Sequence, residues 1–182
     1  MSLPHALLTA LAECPCSGLE LARRFDRSIG YFWHATHQQI YRELGRLEEA
    51  GWVLSTAVAQ SRGRKRNYKL LPAGKRELRR WVAEAEDPKP QRDELMVKLR
   101  AEAAIGPAGL APELRRRLAL HEQKLALYLQ IEATDFADPD ASRETQLQHL
   151  VLQAGIAHER QWIELSQRAL ALLEVKREEQ AS

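Results

Sequence analysis

The chain has 182 residues, of which 45% are apolar and 29% charged, and a net charge of +2. No apolar run approaches the roughly 20 residues of a membrane span. Residues 3–12 are broken by Pro4, His5 and Thr9 and lack a basic start, so they do not read as a signal peptide, and a cytoplasmic protein is expected. Charge is unevenly placed: residues 1–86 hold 14 Lys+Arg against 9 Asp+Glu, and residues 87–182 hold 13 against 16. That bias points to the first half as the part that meets a polyanion.

Leu3, Leu7, Leu8 and Leu11 predict a first helix that ends near Cys14-Pro15. Cys14 and Cys16 have no second pair to complete a zinc site, and a bridge between them would be strained, so they read as small residues in a helix-to-helix turn. Ser17-Gly18-Leu19-Glu20 is a capping box. It opens a second helix with Leu21, Ala22 and Phe25 inward. Ser28-Ile29-Gly30-Tyr31-Phe32-Trp33 follows as an aromatic connector without helical period.

Thr36 and Gln39 form another capping box, ahead of Ile40, Leu44 and Leu47 on one helical stripe. The opposite face carries Gln38, Arg42, Gly45 and Glu49, with Tyr41 and Arg46 on its flanks. Amide, guanidinium and phenol groups near a helix N-terminus suit a major-groove reader. Three short helices in this order match a helix-turn-helix core.

Gly51 ends that helix. Residues 53–60 alternate as a strand, residues 61–66 form a basic turn with Arg62, Arg64, Lys65 and Arg66, and residues 67–71 return. A hairpin after a helix-turn-helix is a wing, and a phosphate backbone would relieve the repulsion among its cations. Pro72 suits the first position of a fourth helix, expected to reach about residue 86 with Leu78, Trp81 and Val82 inward. Residues 87–91, Asp-Pro-Lys-Pro-Gln, cannot continue a helix and read as a linker. The expected domains are a winged helix-turn-helix over 1–86 and a helical dimerisation domain over 92–182.

The second half predicts three helices, over 93–104, 112–133 and 142–178. The first carries Leu95, Met96, Leu99 and Ala103, and the second carries Leu114, Leu118, Leu125 and Tyr128. The last has two apolar seams. One contains Leu147, Val151, Ala154, Trp162, Leu165, Ala169 and Leu172. The other contains Leu152, Ile156, Ile163, Leu170 and Leu173, interrupted by Glu159 and Ser166. So wide an apolar arc needs partners on two sides. One partner is the preceding helix, and the second seam is assigned to a homodimer contact. The fold class is mainly α with one small β-hairpin.

Leu3-Pro4-His5-Ala6, Ser17-Gly18, the run from Phe25 to Trp33, residues 39–48 (Gln-Ile-Tyr-Arg-Glu-Leu-Gly-Arg-Leu-Glu) and Ala73-Gly74-Lys75 closely resemble the PadR family of transcriptional regulators. The second half resembles the AphA-like C-terminal domain of virulence activators, through Glu94-Leu95, His121-Glu122 and Ala157-His158-Glu159. The resemblance implies a winged helix-turn-helix dimer that binds an inverted repeat in promoter DNA, usually as a repressor, and in some members answers a small aromatic effector. It places Gln38, Gln39 and Arg42 in the groove, Tyr41 near a phosphate and Arg64, Lys65 and Arg66 on the wing. Thr36, His37, Arg46 and Arg62 complete the expected DNA-binding set. The chain departs from the family at Leu19, where a Tyr is common, at His34, where a Pro is common, and at Gln38, where a Ser is usual.

His149 and His158 lie about 180° apart on one helix, so they cannot share a metal within a chain. No nucleophile–base pair or phosphate-cradling glycine loop occurs, so neither an enzyme nor a cofactor is expected. Trp81 and Trp162 are candidates to line an effector pocket. A winged-helix module that grips an acidic protein instead of DNA remains the alternative at this stage.

Overall fold

A computed structural model describes residues 3–26, 35–57, 65–87, 90, 92–138 and 140–179, with side chains as far as residue 174. The chain divides into two compact units, Met1–Pro88 and Lys89–Ser182. Among the described residues, no helix is long and apolar enough to cross a membrane.

The first unit contains α1 (Leu3–Glu13), β1 (Cys16–Ser17), α2 (Gly18–Asp26), α3 (His37–Glu49), β2 (Val53–Ala57), β3 (Arg66–Leu70) and α4 (Pro72–Val82). Its core joins Leu7, Leu8 and Leu11 of α1, Leu21, Ala22 and Phe25 of α2, and Ile40, Leu44 and Leu47 of α3, each at most 2% exposed. Each such large apolar side chain contributes about 1.5–3 kcal/mol of burial. This core fixes which face of α3 stays outside.

The sheet differs from the expected hairpin. Its order is β1-β3-β2, all antiparallel, because Cys16 and Ser17 pair with Tyr68 and Asn67 along the second edge of β3. Residues 14–17 are therefore not a plain turn. Arg24 holds this segment by donating to the Cys14 and Ala10 carbonyls at 3.1 and 3.4 Å, which satisfies the C-terminal end of α1. It also reaches the Cys16 Sγ at 3.8 Å. Burial pushes the Cys16 thiol pKa up despite that guanidinium, so the thiolate is not favoured.

Gly51, at φ 68°, closes α3. Trp52 N–H donates to Leu47 O and Gly51 N–H to Glu48 O, both at 2.9 Å, a Schellman arrangement. The return strand is hydrogen-bonded to β2 from Val53↔Leu70 to Ala57↔Arg66. Pro72 opens α4, which stops at Val82, short of the expected end, and Val82 points outward at 72% exposed. Gly74 is where α4 meets the start of β2. A Cβ there would stand 2.4 Å from the Trp52 carbonyl oxygen.

The second unit contains α5 (Glu94–Ile105), α6 (Ala111–Asp135) and the 37-residue α7 (Arg143–Glu179). Asp93 caps α5 by accepting from Leu95 N–H at 2.8 Å. Of the residues expected inside α5, Leu95 is buried and Leu99 half-buried, while Met96 and Ala103 are exposed. Leu95, Leu110, Leu114, Ala169 and Leu170 form the apolar core of this unit.

The seams of α7 divide differently from expectation, although Ala169 of the first seam is also buried and its Trp162 and Leu165 are half-buried. Ile156 and Leu170 are buried, and Leu152, Ile163 and Leu173 half-buried, all within one chain. The seam assigned to a dimer contact is therefore the one its own unit covers. Glu159 and Ser166, which interrupt it, are each 1% exposed. The Glu159 carboxylate can stay there because α6 answers it, with His121 Nδ1 at 2.5 Å and Lys124 Nζ at 3.0 Å. On the other seam, Leu147, Val151 and Leu172 are 50–72% exposed, and Leu150 beside them is 60% exposed.

Candidate nucleic-acid interface

The outer face of α3 starts from its cap. The Thr36 hydroxyl accepts from Gln39 N–H at 3.2 Å, and the Gln39 carbonyl oxygen accepts from Thr36 N–H at 2.8 Å. Of the three expected groove residues, Gln39 is thus engaged with Thr36 in starting the helix, and it keeps its amide NH₂ for anything outside. Gln38 and Arg42 are exposed and, among the described residues, make no hydrogen bond or ion pair. Arg46, also exposed, is paired with Glu43 at 3.3 Å. His37 is exposed next to the cap.

Tyr41 is 45% exposed and lies over the first turn of α2. A Cβ on Gly18 would meet its Cε1 at 2.5 Å, so the missing side chain at Gly18 is what lets the phenol ring settle there. Gly45 has nothing within 4 Å of where a Cβ would be, so a side chain there would project freely from the same face.

The described cations at the foot of the hairpin already have partners. Lys65 lies 3.3 Å from Glu20, and Arg66 lies 3.3 Å from Glu48. Glu48 has further donors. Its Oε1 also accepts from Ser55 N–H at 3.0 Å and from the Ser55 hydroxyl at 2.5 Å. These hydrogen bonds, with the Arg66 charge, outweigh burial and lower its pKa. Glu20 accepts from the Ser17 hydroxyl at 2.7 Å and from Ser17 N–H at 2.9 Å. Those contacts, followed by Lys65, bring its pKa down to about 2. Neither cluster was legible from spacing, although Ser17 and Glu20 read correctly as a cap. Arg62, Arg64, His34 and the connector over 28–33 lie outside the described residues.

The two candidate effector tryptophans sit in different units. Trp81 stacks on His5 at 4.5 Å, between α4 and α1. Trp162 stacks on His121 at 5.8 Å in the second unit, with His158 at its edge. A cleft of about 780 Å³ beside Trp162 is lined by Arg92, Met96, Val97, His158, Gln161 and Leu165, among others. Among the described residues, no three His, Cys, Asp or Glu side chains cluster as metal ligands would.

Residues 7–80 match the family model of the PadR-like transcriptional regulators, and residues 91–174 match that of the C-terminal domain of virulence activators. A probable transcriptional regulator of Mycobacterium tuberculosis is 42% identical over 97% of this chain and all of its own length. The Vibrio cholerae virulence activator AphA is 31% identical, with a TM-score of 0.79 over 96% of this chain and 99% of its own. The negative transcriptional regulator PadR of Bacillus subtilis is 26% identical over 94% of this chain and 97% of its own. Its structure in complex with operator DNA has a TM-score of 0.79 over 95% of this chain and 99% of its own, and it is also known in complex with p-coumaric acid. The whole chain, both units included, belongs to the PadR-like family of transcriptional regulators, with the C-terminal domain type of AphA.

Proposed function

We propose that the chain is a homodimeric repressor that acts in the cytoplasm on an inverted-repeat operator, with residues 1–86 binding DNA and residues 92–182 pairing the two copies. One observation carries the reading: α3 is capped at one end and closed by a Schellman turn at the other, and presents Gln38 and Arg42 without partners among the described residues. Gln38 and Arg42 read base edges, helped by the Gln39 NH₂ and His37. Tyr41, Arg46, Arg62 and Arg64 meet phosphates, and Thr36 serves as the cap. That the B. subtilis relative is known in complex with operator DNA supports DNA as the partner.

The second copy is assigned to the exposed seam of α7, through Leu147, Leu150, Val151 and Leu172, since the opposite seam is already covered. Contiguous apolar surface of this kind on a helix calls for a partner. The reading extends to a small aromatic effector. It is supported by the p-coumaric acid complex of the B. subtilis relative and by the Trp162 cleft, whose volume suits a small ligand.

Selection from a random duplex pool, followed by fluorescence anisotropy, tests the reading. A palindrome should emerge. Arg42→Ala should lose the preference for it, at about 1–3 kcal/mol, whereas Arg64→Ala should weaken all duplexes alike. Absence of salt-dependent binding at roughly 50–100 mM salt would sink the proposal. Sedimentation should show a dimer that Leu147→Glu with Val151→Glu converts to monomer. A dimer unaffected by that pair would remove the assigned face.

A further inference from the structure

The foot of the wing carries one arrangement twice. On one edge of the sheet, Ser17 of β1 donates its N–H and its hydroxyl to Glu20, which also holds Lys65. On the other edge, Ser55 of β2 donates its N–H and its hydroxyl to Glu48, which also holds Arg66. In each case a glutamate on a helix takes up a donor of an edge strand, at a buried serine whose N–H needs a partner. In each case it also neutralises a cation at the entry to the central strand β3. Glu20 ties the wing to α2, and Glu48 ties it to α3.

We propose that Glu20 and Glu48 are positioning residues, which fix the wing against the recognition helix and withhold Lys65 and Arg66 from DNA phosphates. The inference rests on the DNA-binding reading above. Its physical basis is counterion release. A free Lys or Arg that meets a phosphate releases a condensed cation, and each such contact adds about 0.9 to the slope of log affinity against log salt. A cation that must first leave a carboxylate gives much less, because the abandoned carboxylate recruits a counterion and also repels the phosphate. Backbone contacts do not distinguish sequences. Holding two cations back therefore lowers affinity for every duplex by a similar factor and leaves discrimination to the face of α3. The wing's sequence-independent grip is thereby left to its other cations.

The test uses the full chain as Glu20→Gln, Glu48→Gln and the double variant. Glutamine keeps an acceptor for the serine N–H and hydroxyl while removing the charge. Affinity is measured by anisotropy, at several salt concentrations, for the pool-selected operator and for a scrambled duplex of equal length. We expect affinity for both duplexes to rise about threefold or more per variant at ~100 mM salt, and the salt slope to steepen by up to about 0.9. Adding Lys65→Gln to Glu20→Gln, or Arg66→Gln to Glu48→Gln, should restore the original slope. In the otherwise unchanged protein, Lys65→Gln and Arg66→Gln should each change the salt slope by well under about 0.9, a measurement that does not depend on how well the glutamate variants fold. A full slope unit lost in either single variant, or glutamine variants whose slope stays fixed, overturns the inference and leaves DNA binding intact. An unchanged protein that binds no duplex overturns both.

Discussion

Two ways of using apolar side chains stand side by side in this chain. In the first unit, three helices and a three-stranded sheet turn Leu7, Leu8, Phe25, Ile40 and Leu44 onto one another until each is 0% exposed. Leu19, Tyr41, Leu54 and Val82 are the large apolar residues left outside among its described residues. In the second unit, α5, α6 and α7 leave ten exposed among the described residues, including Val97, Ile105, Leu150 and Leu172, and they bury a carboxylate on the covered seam of α7. The first unit encloses its large apolar side chains, whereas the second leaves more of them uncovered and secures its helix pair with charge.

The contrast can be broken first at the core. Leu44→Ala should destabilise the first unit by about 2–5 kcal/mol, and DNA binding should fall with it. Calorimetry should show the transition of that unit move while the helical unit keeps its own. A single transition shifting as a whole would mean the two cores are not independent. The charged pairing comes next. His121→Ala with Lys124→Ala leaves Glu159 buried and alone. The cost should be about 2–3 kcal/mol, below that of a fully enclosed pair because Lys124 is 41% exposed. Burial by itself would raise the pKa of Glu159, but the His121 hydrogen bond and the Lys124 ammonium together lower it below its ordinary 4.5. Its contribution is therefore complete above pH 4.5 and fades as pH falls through the lower folded value. Denaturation of the double variant should lose that part of its acid sensitivity, and an unchanged pH profile would speak against the pairing. The smallest effect sharpens the view of the first unit as closely fitted. Gly74→Ala, a change that would gain up to about 1 kcal/mol in an open helix, should instead cost about 1–2 kcal/mol, since the new Cβ meets backbone at Trp52. A rise in melting temperature would show that the contact can relax.

The sequence made most of the first unit legible because its signals are local. Thr36 and Gln39 mark a start, Ile40, Leu44 and Leu47 a stripe, and Gly51 a stop. Strand β1 stayed hidden because two residues carry no alternation, and its pairing with Tyr68 and Asn67 spans some fifty positions of chain. The Glu48 cluster was invisible for the same reason, since Ser55 and Arg66 meet it through the fold rather than through spacing. On α7 both seams were visible, but spacing does not tell which of them the chain's own unit covers. Glu159, on the covered seam, is held there by His121 and Lys124 of α6. A buried charge cannot be read as buried until its partners are known.

The cap of α3 has a consequence for how such a regulator changes its target. Thr36 and Gln39 are occupied with beginning the helix, whereas Gln38 and Arg42, on the same turn and the next, carry no structural duty among the described residues. If Gln38 and Arg42 read DNA as proposed, folding and reading fall to different side chains within seven positions. An altered preference at Gln38 or Arg42 can arise with little loss of stability, while a change at Gln39 would disturb both at once. The helix is in that sense a cartridge. Its mounting is fixed by the cap, and its address can be rewritten two residues at a time.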